Sequence, residues 1–189
     1  MNRIAIFASG NGTNAQNIIE HFSAYSNVEI SLILSDNEKA FVLERAKKLK
    51  ISSYVFSKND LTQTKSVLQK LKEHNINFIV LAGFLLMIPE NILNAYPNKI
   101  VNIHPALLPK YGGKGMYGNR VHKTVIESGD KESGISIHYV NKEYDEGQII
   151  FQAKCQVSKN ENHEILAKKI HQLEYEHYPK VIEELIKKL

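Results

Sequence analysis

Asn102 and His104 are the residues whose types and spacing bear most directly on chemistry. The apolar pair Ile100-Val101 leads into Asn102-Ile-His-Pro105, and a proline cannot continue a strand's hydrogen-bond ladder. Residues i and i+2 of a strand face the same way, so the amide and the imidazole are expected to project together from a strand end. An Asn amide can donate to a developing oxyanion, and an imidazole titrating near pH 6.5 can donate or move a proton at neutrality. Such a pair suits attack at a carbonyl. A strand-end cap uses the same residue types, so other residues must decide.

Asp145 lies in the turn Tyr144-Asp-Glu-Gly147, where Asp beside Gly is ordinary turn composition. Brought near His104, its carboxylate would raise the imidazole's pKa and fix its orientation, as acyl-transfer sites do. His122 and His138 are further titratable candidates. His138 alternates within a strand, where a satisfied, half-buried role is equally open.

A second kind of chemistry is suggested by Ala8-Ser-Gly-Asn-Gly-Thr-Asn-Ala15, a glycine-rich turn entering a helix. Glycines let the backbone approach a ligand, and the free N–H groups and dipole of a helix start favour an anion. A phosphate is the natural guest. Gly10, Gly12 and Ala15 also spell G-x-G-x-x-A, with Asp36 placed where a dinucleotide-binding fold carries its ribose carboxylate. The polar Ser-x-Asn-x-Thr-Asn filling suits a phosphomonoester at least as well, and a plain βα turn capped by Thr13 or Asn14 is the third reading. The segment Leu81-Ala-Gly-Phe-Leu-Leu-Met-Ile-Pro89 is unusually apolar for a loop, as a buried connection or the wall of an apolar ligand site would be.

The elements that must position these residues read as a βα alternation. Arg3–Phe7, Val28–Leu34, Ser53–Phe56, Phe78–Leu81 and Ile100–His104 have the texture of strands, several continuously apolar as parallel strands buried on both faces are. Ala15–Ser23, Ala40–Leu49 and Leu61–His74 carry apolar residues at helical spacing. The fold class expected is α/β: a Rossmann-like, mostly parallel sheet wound with helices on both sides. From Gly134 the texture changes. Ile135–Val140 and Gln148–Ala153 flank the Asp145 turn as an antiparallel C-terminal hairpin, and Asn162–Lys188 closes the chain as a long C-terminal helix, broken or kinked at Pro179. Ligands of such sheets gather at the carboxyl ends of the strands, and the loops after the first, fourth and fifth strands are the ones with unusual residues.

The 189 residues, with no linker, repeat or low-complexity tract, read as a single domain over 1–189. A net charge of +4 with intermixed signs gives no nucleic-acid face, and the Lys-rich end Ile182–Leu189 reads as a solvated helix face. One cysteine, Cys155, excludes an internal disulfide and fits a reducing compartment, with a buried small-residue role expected for it. The apolar run Ile4–Ala8 is too short for a signal peptide or a membrane span, so the expectation is a cytoplasmic protein without membrane partners.

In order and spacing, Ser9-Gly-Asn-Gly-Thr-Asn14, Leu81-Ala-Gly-Phe84, Asn102-Ile-His-Pro-Ala-Leu-Leu-Pro-Lys-Tyr111 and the Asp145 turn resemble the folate-dependent formyltransferases over nearly the whole chain. The N-I-H-P-x-L-L-P segment marks formyltransferases generally, and the first loop resembles the glycinamide ribonucleotide branch, the enzymes of purine synthesis. The resemblance implies transfer of a formyl group from the co-substrate 10-formyltetrahydrofolate to the amine of glycinamide ribonucleotide, with no metal and no nucleophilic Ser or Cys. By position it implies catalytic roles for Asn102, His104 and Asp145, with His104 protonated. It implies phosphate contacts from Gly12, Thr13 and Asn14, and a ribose contact from Glu174, with His171 standing where some members have Gln. Leu85, Leu86, Met87 and Ile88 match the apolar wall around the folate pterin, although some relatives have Arg in place of Leu86. The stretch Tyr111–Asn119 departs from many members in its length and glycine content and suggests a flap near the folate. The partners implied are these small molecules alone, with the protein a monomer or homodimer.

Other functions absorb fewer residues. A nucleotide-dependent oxidoreductase explains the glycines and Asp36 but leaves Asn102, His104 and the apolar loop without a role. A formylfolate hydrolase or a tRNA formyltransferase shares the trio but usually carries an additional domain. A non-catalytic binding module has no need of all three residues.

Overall fold

The continuous Ile, Val, Leu and Phe runs form the centre of a seven-stranded sheet in a computed structural model that describes residues 1–189. The strands are β1 (Asn2–Phe7), β2 (Val28–Ser35), β3 (Ser53–Val55), β4 (Phe78–Leu81), β5 (Ile100–His104), β6 (Glu132–Tyr139) and β7 (Ile149–Gln156). Their order is β3-β2-β1-β4-β5-β6-β7, with β1 to β5 parallel and β6 and β7 antiparallel. This is the mostly parallel α/β sheet with an antiparallel end that the sequence implies. The helices are α1 (Thr13–Phe22), α2 (Phe41–Lys48), α3 (Lys58–Thr62), α4 (Ser66–Glu73), α5 (Glu90–Ala95), α6 (Asn119–Ser128) and α7 (His163–Ile186).

Alternate residues of each parallel strand feed two cores. Ile4 and Ile6 of β1 pack on one face with α1, α2 and α7, and Ala5 and Phe7 pack on the other with α4 and α5. Burial on both faces explains why these strands show no polar alternation. The chain winds outward from β1 to β3, then returns past β1 to place β4 on its other side. The carboxyl ends of β1 and β4 therefore border the crevice where such sheets bind ligands.

Three sequence expectations change. The helix expected over Leu61–His74 is two helices: Ser57 and Asp60 form a capping box that starts α3 early, and in the break before α4 the Ser66 N–H donates to the Thr64 hydroxyl at 3.1 Å. The short helix α5 and the ten-residue α6 are additional, and neither carries a long enough apolar stripe to announce itself. The closing helix α7 is not broken at Pro179: it runs unbroken from His163 to Ile186. Proline at 179 leaves the Tyr175 carbonyl without its i+4 donor, and the Asn17 side-chain Nδ2 of α1 supplies one at 2.9 Å.

Candidate active site

The loop after β1 is held open at its N–H side. Gly12 precedes α1 at φ 73°, in the left-handed region, and no side chain caps the helix. The carbonyls of the loop are occupied from behind: Val42 N–H donates to Gly10 O at 3.1 Å, and Arg45 Nε donates to Asn11 O at 2.8 Å. None of the N–H groups from Gly10 to Ala15 has a partner within the protein. A run of free donors at a helix start without a cap is an anion cradle. Gly12, Thr13 and Asn14 all line the large cleft of about 630 Å³ that opens above it.

The cradle is tied to the loop after β4. Ser9 N–H donates to Gly83 O at 3.0 Å, and Leu85 N–H donates to Ser9 Oγ at 3.1 Å. The apolar segment divides into separate roles. Leu85 lines the large cleft, whereas Leu86, Met87 and Ile88 line a smaller cavity beside it of about 60 Å³. Ile88 is also a core residue, packed with Ile92 and Tyr96. Phe84 borders both cavities and lies edge-on to Phe7 at 5.2 Å, which explains why a loop can be so apolar without being a disordered liability.

Asn102, His104 and Asp145 come together on the wall of the large cleft, beside the smaller cavity. Asn102, Phe84, Tyr144 and Asp145 line both. Asp145 Oδ2 lies 3.5 Å from His104 Nδ1 and accepts from Gly113 N–H at 3.0 Å, while Oδ1 accepts from Asn102 Nδ2 at 3.4 Å. Asp145 itself is in the left-handed region at φ 57°, which a short polar side chain tolerates better than most. His104 Nε2 donates to the Tyr111 carbonyl at 2.8 Å. Ser136, opposite His104 in the β5/β6 register, fixes the chain beyond it: its hydroxyl donates to Ala106 O at 2.7 Å and accepts from Leu108 N–H at 2.9 Å.

His138, open from the sequence as a titratable candidate or a satisfied strand residue, is brought into the cluster. It pairs with Asn102 across β5 and β6, its Nδ1 donates to Tyr139 O at 2.8 Å, and its Nε2 accepts from Asn102 Nδ2 at 3.1 Å. The same Nε2 stands 3.6 Å from Asp145 Oδ1. The available signal was its placement in a hairpin strand next to β5, but alternation alone gives no partner across the sheet.

Burial works to raise the pKa of Asp145, but the nearby His138 ring, the charge of His104 and the Gly113 N–H outweigh it, and the carboxyl stays below its usual range. Burial pushes His104 down, and the Asp145 charge pulls it partly back. At the far end of the cleft, Glu174 accepts from Asn14 Nδ2 at 3.0 Å and from His171 Nδ1 at 2.8 Å. The Glu174 bond raises His171, against its partial burial. Glu174 is 5% exposed yet lines the cleft, so its charge faces a ligand as much as solvent. Tyr178, one turn further along α7, is fully buried with its hydroxyl on Leu81 O at 2.9 Å, tying α7 to the end of β4.

His122, also lining the cleft, is driven down to about 4, by burial first and by the charge of His171 second. Both His104 and His122 are therefore more easily protonated in the unfolded chain, whose imidazoles titrate near 6.5. The unfolded state binds the extra protons, so stability is full above about pH 6.5 and falls as the pH drops toward 4. Denaturant midpoints taken from pH 7.5 to 4.5 should show that fall, and His122→Leu should flatten it; an identical slope in the variant would mean that His122 protonates freely in the folded protein.

Asp36 does not complete a dinucleotide site. It follows β2 as the G-x-G-x-x-A reading requires, but it is not among the residues lining the cleft, and Asn37 reaches the cradle instead with Nδ2 on Ser9 O at 3.4 Å.

An open anion cradle, an apolar slot and an Asn-His-Asp cluster between them define a group-transfer enzyme acting at a carbonyl. A family model described as formyl transferase matches residues 2–182, and the chain belongs to that family. It is 39% identical over 186 residues to a chloroplastic phosphoribosylglycinamide formyltransferase from Arabidopsis thaliana, covering 95% of this chain and 64% of that one. To the phosphoribosylglycinamide formyltransferase of Bacillus subtilis it is 34% identical over 191 residues, covering 98% of this chain and 95% of that one. The crystal structure of the Streptococcus pneumoniae phosphoribosylglycinamide formyltransferase superposes with a TM-score of 0.86 at 34% identity, covering 98% and 99% of the two chains.

Proposed function

We propose that the protein transfers the formyl group of 10-formyltetrahydrofolate to the primary amine of 5-phosphoribosyl glycinamide, giving the formylglycinamide ribonucleotide and tetrahydrofolate in purine synthesis. The observation that carries this reading is the position of Asn102 and Asp145 where the large cleft meets the smaller apolar cavity, with His104 beside them on the cleft side. The open N–H groups over Gly12, Thr13 and Asn14 suit the phosphate, and Glu174 with His171 suits the ribose hydroxyls. Leu85, Leu86, Met87 and Ile88 offer an apolar wall to the pterin. The relatives of near-equal length are phosphoribosylglycinamide formyltransferases, which supports the same substrate pair. We read residues 1–189 as one domain, since a single sheet runs from β1 to β7 and α7 packs back on α1, and we place the activity in the cytoplasm, which the one free cysteine supports.

The amine attacks the formyl carbon, forming the new N–C bond and a tetrahedral oxyanion. Asn102 holds one N–H in a 3.1 Å bond to His138 and the other in a long 3.4 Å contact to Asp145, so the second is the donor the oxyanion recruits. His104 lies beside the Asp145 carboxylate, which pulls its pKa back up against burial, and supplies the opposing positive charge when protonated; each good donor is worth roughly 3 to 4 kcal/mol in such sites. Asp145 takes the proton from the attacking nitrogen and passes it to the leaving folate nitrogen as the oxyanion collapses to a carbonyl and that nitrogen's bond to the formyl carbon breaks. A free amine needs no prior activation, so a nucleophilic side chain has no part to play.

The test is the rate of deformylation of a 10-formylfolate, followed by absorbance, with and without glycinamide ribonucleotide. Turnover only with the ribonucleotide, with formylated product, is the expected result. Equal turnover without it would make the protein a hydrolase instead.

A further inference from the structure

Helix α2 is built against the back of the glycine loop in a way that neither core packing nor the Asn-His-Asp cluster requires. Val42 N–H donates to Gly10 O at 3.1 Å, one peptide before Arg45 Nε donates to Asn11 O at 2.8 Å. Arg45 also donates from Nη2 to Asn11 Oδ1 at 2.9 Å and from Nη1 to Gln16 Oε1 on α1. Its guanidinium stacks 4.9 Å over the Phe41 ring. Phe41 is otherwise half exposed, a poor use of an aromatic side chain unless it holds the arginine in place. A planar guanidinium thus has one loop residue gripped at backbone and side chain together, a geometry lysine cannot reproduce.

In a trans peptide the N–H points opposite to the C=O. Anchoring Gly10 O and Asn11 O on α2 therefore turns the Asn11 and Gly12 N–H groups away from α2, onto the open side of the loop. Both groups lack a protein partner. A cation on the carbonyl also polarises the peptide, strengthening its N–H as a donor. We propose that Arg45 is a positioning residue for the substrate's phosphate: it touches no ligand, but it fixes the Asn11–Gly12 peptide that does. The inference rests on the glycine loop being the phosphomonoester site.

Steady-state kinetics on Arg45→Gln, Arg45→Lys and Asn11→Ala test it, with inorganic phosphate as a competitive inhibitor. In Arg45→Gln the KM for the ribonucleotide and the inhibition constant for phosphate should rise together by roughly 10- to 100-fold, the range for a lost charge-assisted hydrogen bond. The KM for the formyl folate and kcat should stay within about twofold, a split that general loosening of the fold would not give. Arg45→Lys should recover only part of the loss, and Asn11→Ala should add little to Arg45→Gln. Should Arg45→Gln fail to fold, the lysine and Asn11 variants carry the same comparison. Unchanged phosphate inhibition in folded variants, or parallel changes in both KM values and kcat, would overturn the role of Arg45 while leaving the loop as a phosphate site. Wild-type protein indifferent to inorganic phosphate would instead remove the phosphate reading itself, and Arg45 with it.

Discussion

Asp145→Asn is expected to lower kcat by two to four orders of magnitude, the span usual for a residue that moves or steers a proton, with little change in unfolding temperature. The size of the effect follows from how many groups meet on one carboxylate. Gly113 N–H, Asn102 Nδ2, His104 Nδ1 and His138 Nε2 all lie within 3.6 Å of its two oxygens. An amide keeps one acceptor and turns the other position into a donor. If the acceptor stays on Gly113, the new NH2 faces the NH2 of Asn102, and the pair of donors pushes the Asn102 amide out of line. If it flips, the Gly113 N–H loses its partner. The charge is lost in either case, and with it the pull that raises His104 against its burial. His104 then protonates at a lower pH, so activity that depends on the imidazolium should fall away at lower pH in the variant than in the wild type. A pH–rate profile with kcat resolved from KM checks both parts. Near-normal turnover would take Asp145 out of the mechanism, and a lowered kcat with an unshifted profile would confine it to moving the proton.

How these residues converge was only partly visible in the sequence. The parallel strands announced themselves as unbroken apolar runs, and Pro105 marked where β5 had to stop. That was enough to place Asn102 and His104 at a strand end facing one way. Asp145 could be suspected from chemistry but not located, because a long stretch of loop, helix and strand separates it from His104, and no local pattern encodes that closure. His138, named as a candidate, stayed ambiguous for a different reason: its alternation fits any half-buried strand, and only the antiparallel pairing of β6 with β5 sets it opposite Asn102. Helix α6 escaped because its buried residues Val121, His122 and Val125 are too few to show a stripe between the glycines of the preceding loop and Gly129. Pro179 misled in the opposite direction. The rule that proline breaks helices is a statement about an unpaired carbonyl, and it lapses where a neighbouring side chain such as Asn17 supplies the missing donor. For Asp145, His138 and Pro179 the lost information was a long-range partner, whereas α6 was lost for want of a local pattern.

Gly12→Ala should be the most damaging single-methyl change in the cradle, whereas Gly10→Ala, two residues away in the same motif, should fold normally. At Gly12 the backbone sits at φ 73°, where a residue with a Cβ costs about 1–2 kcal/mol. The added methyl would also lie 2.5 Å from Val42 Cβ and 2.9 Å from Val42 Cα, with Cγ2 in its path as well, and a backbone atom of a packed helix cannot step aside as a flexible side chain could. Relief requires α2 to move away from the loop, which stretches the Val42 and Arg45 hydrogen bonds that hold the Gly10 and Asn11 carbonyls. At Gly10 an added methyl would meet nothing within 4 Å and the backbone is not left-handed, so the glycine there leaves room for a ligand without being demanded by the fold. Gly12→Ala is therefore expected to lose a few kcal/mol of stability and to raise the KM for the ribonucleotide by about 100-fold or more, while the KM for the formyl folate changes little. Thermal unfolding with and without inorganic phosphate measures both effects at once. The wild type should be stabilised by phosphate through its binding to the folded state, Gly10→Ala should unfold near the wild-type temperature, and Gly12→Ala should melt lower and gain nothing from phosphate. A Gly12→Ala protein that melts and binds phosphate like the wild type would show that the cradle is not held by the close fit of Gly12 against Val42, and the N–H groups of α1 alone would then have to account for anion binding.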